Sequence, residues 1–166
     1  DVICEIGPPG EPVETPVRRG PGEPIRLIWS GQHQPGKALP LLLGALALIG
    51  DRFDWRLTVL GRGRSTTGWK WLARELGLGG RCSWPGWVPR DEAVRMVKQA
   101  HVGVITSLKD LTSSVLLEFL SAGLPVVCPD CCGFTNVVTP DCGIKIAVRT
   151  PRQLTADLAV ALERLA

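Results

Sequence analysis

The 166-residue chain is 45% hydrophobic and 21% charged, and its 19 Lys and Arg against 16 Asp and Glu leave a net charge of +3. This composition excludes a disordered or fibrous chain, and the length suits one domain with a core of its own. With no dense basic run, a small anionic ligand fits better than nucleic acid, whose many phosphates demand a larger basic surface.

Residues 1–24 are rich in Pro, Gly and charge, start at Asp1, and lack the basic and apolar regions of a signal peptide; they read as a leading segment or interdomain linker of a fragment. From 25 to 166 short β-rich apolar runs alternate with longer helix-patterned ones, the signature of an α/β domain around a parallel sheet. The pattern predicts strands at 25–30, 55–60, 81–84, 102–106, 125–128 and 144–147. Helices are predicted at 37–49, 67–76, 90–99, 113–122, 133–138 and 151–165, with Thr150 and Pro151 opening the last. The longest apolar run, 38–50, contains Pro40 and is too short to cross a bilayer.

In such a sheet, ligands gather beyond the carboxyl ends of the strands. The loop after the first strand, Gly31-Gln32-His33-Gln34-Pro35-Gly36-Lys37, allows close backbone approach and carries a cation, but its spacing is not that of a P-loop. Gly61-Arg62-Gly63 lacks the third glycine of a dinucleotide fingerprint and follows the second strand. It reads as a tight turn, with Arg62 or Arg64 adding positive potential, or as a plain surface turn.

In the helix at 113–122, Ser114, Glu118 and Ser121 form a polar stripe at i, i+4 and i+7 among Val115, Leu116, Leu117, Phe119 and Leu120. Such a stripe serves either a ligand with hydroxyl groups or solvent. Thr112, Ser113 and Ser114 bring hydroxyls and free amides to the helix start, which suits a diphosphate and equally suits capping. Asp110, with seven residues between it and Glu118, adds a second acceptor and so favours a sugar on one side of a phosphate seat and a ribose on the other.

His33 has no evident carboxylate partner and His101 opens an apolar strand, so neither reads as a catalyst. Cys4, Cys82, Cys128, Cys131, Cys132 and Cys142 lack the second ligand pair of a closed zinc site and read as free thiols in a reducing cytoplasm. An acidic cluster at the first strand's end, which a receiver-like signalling domain needs, is replaced by Ser30-Gly31-Gln32.

Together these segments resemble the C-terminal domain of the family 4 glycosyltransferases. The resemblance runs through Lys37, Thr58-Val59-Leu60-Gly61-Arg62-Gly63, Gly86-Trp87-Val88 and Ala100-His101-Val102-Gly103-Val104 to Ser107. It is most specific from Asp110 to Val127, with Glu118-Phe119-Leu120-Ser121-Ala122-Gly123-Leu124-Pro125-Val126-Val127, and continues in Gly133-Phe134-Thr135-Asn136-Val137-Val138 and Gly143.

The resemblance implies a Rossmann-like three-layer α/β domain with a central parallel sheet of about six strands, one half of a GT-B fold. It implies a nucleotide-diphosphate sugar as donor substrate, no metal and no cofactor, and retention of anomeric configuration. Asp110 and Lys37 would be catalytic, with Asp110 facing the sugar and Lys37 the diphosphate. Glu118 would bind the ribose. Gly31, Gln32, Gly61, Thr112, Ser113 and Ser114 would surround the donor, and Gly86 and Val88 the base. The partners implied are the donor and a preceding N-terminal domain holding the acceptor site, in a cytoplasmic enzyme with possible peripheral membrane contact. A sugar-nucleotide epimerase shares the architecture but calls for further acids and histidines. Three positions depart from the family: Gln32 where an arginine is usual, Asp110 where the longer Glu is usual, and Leu111-Thr112-Ser113-Ser114 in place of a glycine-rich stretch.

Overall fold

A computed structural model describes residues 17–110 and 113–166. Among them, β1 (Ile25–Ser30), β2 (Trp55–Leu60), β3 (Cys82–Gly86), β4 (Val102–Val104), β5 (Val126–Pro129) and β6 (Gly143–Ile146) form one sheet in the order β3-β2-β1-β4-β5-β6. Every pairing is parallel. A receiver-like domain is set aside by this order, since that fold places its first strand between the second and third.

The central strands β1, β4 and β5 bury most of both faces, as parallel strands between helical layers do, while the edge strand β3 exposes Ser83 and Pro85. Ile25, Leu27 and Trp29 of β1 and Trp55, Leu57 and Val59 of β2 point into one core, shared with α1 (Leu39–Ile49), α2 (Thr66–Glu75) and α6 (Pro151–Leu165). Ile28 and Leu60 point the other way, toward α3 (Arg90–Gln99), α4 (Ser114–Ser121) and α5 (Phe134–Val137). The period of two in the strands therefore assigns each side chain to a layer.

The sixth helix, α6, follows the pattern of its sequence closely. Leu154, Leu158, Ala159, Ala161 and Leu162 are its buried stripe, and the Thr150 hydroxyl accepts a hydrogen bond from the Gln153 amide at 3.2 Å. Removing that cap with Thr150→Ala is expected to lower stability by about 1 kcal/mol, measured by urea unfolding.

Several predicted boundaries shift by one or two residues, and two of the shifts bear on the site. The helix expected at 37–49 divides into a 3-10 turn, Pro35–Lys37, then Ala38 in the left-handed region at φ 47°, then α1. Pro40 is the reason: in a helix starting at Lys37 its missing N–H would forfeit an early bond, whereas in a helix starting at Leu39 it falls in the first turn, where no partner is needed. Lys37 is thereby freed from α1. The strand expected at 102–106 ends at Val104, and just beyond it the fully buried Thr106 turns its hydroxyl to Trp29 and to the Lys37 carbonyl. Among the described residues no helix is long and apolar enough to cross a membrane.

Candidate functional site

β1 has β2 on one side and β4 on the other, so the loops leaving β1 and β4 diverge and open a crevice between them. Two of the predicted site residues meet there. Lys37 Nζ, on the turn after β1, donates to Asp110 Oδ2, on the loop after β4, and the two side chains are only 20% and 18% exposed. A buried relay holds the pair from below: Trp29 Nε1–H donates to Thr106 Oγ1 at 2.9 Å, and Thr106 donates to the Lys37 carbonyl at 2.6 Å. The Leu108 amide donates to the Gly36 carbonyl at 3.1 Å. On the far side, the Asp110 amide donates to Cys132 Sγ at 3.3 Å.

The loops after β1, β2 and β3 touch backbone to backbone. The Gly31 amide donates to Leu60 at 3.3 Å and the Gly61 amide to Gly86 at 2.8 Å. A Cβ on Gly61 would lie 2.0 Å from the Gly31 carbonyl oxygen, so glycine there is a steric requirement. Above these loops opens a cleft of about 1000 Å³, lined by Gly31, Gln32, Gln34, Arg62, Arg64 and Trp87 among others. The Arg62 guanidinium lies 5.9 Å from the centroid of the Trp87 ring, which is exposed to solvent. That lining includes Gly31 and Gln32 but neither Lys37, Asp110 nor Glu118, so the predicted site residues fall into separate regions.

His33 closes the floor of the cleft as a structural residue. It is buried against Trp29, Trp69 and Trp84, with Nδ1 2.8 Å from the Thr66 hydroxyl and Nε2 3.3 Å from the Leu60 carbonyl. Burial holds its pKa below the usual histidine value and so favours the neutral ring. His101 likewise accepts the Arg26 amide at 3.1 Å, well away from the cleft.

The third region is α4. Ser113 is its N-cap residue but its hydroxyl makes no capping bond, and Ser114 is exposed. The first amides of any helix lack intrahelical partners, so α4 turns donors and a positive dipole end toward the Asp110 loop. Thr112 lies outside the described residues. Leu116 and Phe119 are buried while Glu118 is half-buried, and burial raises its carboxyl above the usual range, opposed by Arg90 at the start of α3. Gly86 stands at φ 83° at the end of β3, and Val88 packs partly into the core.

Trp29, Thr106, Cys132 and Trp87 go beyond the residues singled out from sequence. Trp29 and Thr106 are 77 positions apart and Asp110 and Cys132 22 apart, distances over which sequence spacing carries no signal. Trp87 did leave one: a large aromatic side chain in a Pro- and Gly-bearing loop just past a strand end. Cys82, Cys128, Cys131, Cys132 and Cys142 are free thiols, and among the described residues no three of His, Cys, Asp and Glu come together as a metal site.

The family described as Glycosyl transferases group 1 matches residues 24–166. The lipopolysaccharide 1,6-galactosyltransferase of Escherichia coli (strain K12) is 31% identical over 125 residues, which are 72% of this chain and 34% of that protein. Among solved structures, the apo form of the lipopolysaccharide outer core galactosyltransferase WaaB shares 25% identity at a TM-score of 0.76, over 93% of this chain and 44% of that one. WaaG, a glycosyltransferase involved in lipopolysaccharide biosynthesis, shares 25% identity at a TM-score of 0.73, over 86% of this chain and 39% of that one. The chain thus spans less than half the length of each of these relatives. With the family matched over residues 24–166, and with an all-parallel Rossmann-like sheet, the chain belongs to the group 1 glycosyl transferases and forms one half of a GT-B fold.

Proposed function

We propose that this domain binds the nucleotide-diphosphate sugar of a retaining glycosyltransferase. The observation that carries this reading is the Lys37–Asp110 pair across the β1–β4 crevice, with Asp110 on the loop that leads into the amino end of α4, whose first turn leads to Glu118. In the proposed complex, the diphosphate lies at the start of α4, against the amides of Ser113 and Ser114. The donor draws Lys37 from Asp110 to its distal phosphate, which leaves Asp110 to accept hydroxyls of the sugar. Glu118 accepts the ribose hydroxyls, and the backbone of Gly86 and Val88 borders the base.

When the bond from the anomeric carbon to the diphosphate breaks, the departing oxygen gains negative charge. Lys37 and the α4 amides are placed to stabilise it, a role that calls for no metal or cofactor. Arg62, which lines the same cleft as Gln32, supplies positive potential that Gln32 itself lacks. The acceptor and the remaining groups belong to a preceding N-terminal domain, so the fragment alone binds donor without transferring sugar. The lipopolysaccharide substrates named for the relatives favour a lipid-linked or glycan acceptor, handled by a cytoplasmic enzyme in peripheral contact with a membrane.

Titration with UDP, GDP and ADP tests this reading. Glu118→Ala is expected to weaken the best-bound nucleotide by about 1.5–3 kcal/mol, roughly ten- to a hundredfold in Kd. Only the carboxylate accepts both hydroxyls. Because burial raises the Glu118 pKa, wild-type binding should decline with acidification already above the usual carboxylate range, and the variant should lose that dependence. The stability effect runs the other way. A carboxyl with a raised folded pKa contributes most below its unfolded pKa, and that contribution is lost as pH rises through the folded value. The variant is therefore expected to lose affinity at neutral pH without a matching loss of stability. Unchanged affinity would remove the ribose assignment.

A further inference from the structure

We propose that Cys131 and Cys132 form a dithiol site for a soft thiophilic centre, of the class of trivalent organoarsenicals, and that its occupation releases the Asp110 backbone. The two Sγ atoms lie 3.6 Å apart, and both residues are half-buried and open to small reagents. Cys132 adopts φ 58°, a left-handed conformation that a non-glycine residue keeps only where its surroundings hold it. Its surroundings here are the loop after β4: Cys132 Sγ accepts the Asp110 amide at 3.3 Å, and Cys131 Sγ donates to the Ser107 carbonyl at 3.8 Å.

The geometry selects the kind of ligand. Neighbouring Cα atoms stand about 3.8 Å apart, short of the roughly 4.4–6.8 Å that unstrained disulfides span, so a direct S–S bond is disfavoured. A single soft atom inserted between the sulfurs meets no such limit. Zinc would want about four ligands, and no third His, Cys, Asp or Glu joins the pair among the described residues. An organoarsenical needs two sulfurs and brings its own third substituent.

Burial pushes the Cys131 thiol up to about 11, which keeps it protonated at neutral pH and slows alkylation and oxidation, both of which need thiolate. Condensation with an arsenoso group proceeds from the thiols. Two As–S bonds form, the As–O double bond breaks, and the two thiol protons leave with that oxygen as water, so no atom changes oxidation state. The bridged Cys132 sulfur is then a poorer and displaced acceptor, and the Asp110 amide loses its partner.

Phenylarsine oxide is the probe. Intact-mass measurement is expected to show one adduct, reversed by dimercaptopropanol, lost in Cys131→Ser and in Cys132→Ser, and kept in Cys82→Ser and Cys142→Ser. Fragmentation of the wild-type adduct should place arsenic on Cys131 and Cys132, independently of how the variants fold. Hydrogen exchange at the Asp110 amide, followed by NMR, should accelerate at least tenfold in the adduct, a readout that does not require nucleotide to bind. No adduct, an adduct on other cysteines, or unchanged Asp110 exchange each overturns the proposal.

Discussion

Gly61→Ala is expected to destabilise the domain by about 3 kcal/mol or more, combining the cost of a left-handed non-glycine backbone with that of overpacking. Gly61 stands at φ 102°, and its added Cβ would fall 2.0 Å from the Gly31 carbonyl oxygen. Nothing in that contact can yield cheaply, because the obstacle is backbone. The Gly31 amide is bonded to Leu60 and the Gly61 amide to Gly86, so separating the first two loops also pulls on the third. Such a loss is a large part of the roughly 5–15 kcal/mol that a domain possesses. Thermal unfolding is the measurement, with Gly68→Ala as the contrast. Gly68 lies in α2 with nothing within 4 Å of its would-be Cβ, and alanine there should gain about 0.5–1 kcal/mol. A Gly61→Ala protein that melts with the wild type would show that the loops do not need this contact.

Lys37→Ala should separate function from stability most widely. In an enzyme carrying the preceding domain, turnover is expected to fall about 10²–10³-fold, the usual consequence of removing one group that stabilises developing negative charge. In the isolated domain, affinity for a nucleoside diphosphate should fall while that for the bare nucleoside stays the same. Stability should change by about 1 kcal/mol or less, since both members of the ion pair keep some solvent access. If turnover survives, or if nucleoside and nucleoside diphosphate lose affinity alike, Lys37 is not a phosphate ligand.

These two positions differ in how far they were legible before the fold was known. Lys37 was marked by its place in a glycine-bearing loop after an apolar strand, a local pattern that survives without tertiary information. Its setting is not local, because the helix expected from 37 begins at Leu39 and leaves Lys37 on a separate turn. Pro40 held the warning. Gly61 was marked as a tight turn, but its need for glycine comes from the Gly31 carbonyl, thirty positions earlier. Glu118 was conspicuous as an acid among apolar neighbours, and its half-buried setting beside Arg90 depends on how α3 packs on α4.

Sequence by itself determined the α/β class, because short β-rich apolar runs alternating with longer runs of period 3.6 are written residue by residue. It also determined the polar stripe of α4, the cap of α6 and the presence of Asp110 and Glu118 with seven residues between them, all of them local relations. Tertiary structure decided the strand order, and with it the crevice between β1 and β4 where Lys37 meets Asp110. It likewise decided the relay from Trp29 through Thr106 to Lys37, the neutral burial of His33, and the dithiol beneath Asp110. Local pattern assigns a residue to an element and a face; which elements become neighbours depends on packing energies summed over the whole core, and contacts between distant residues exist only once that choice is made.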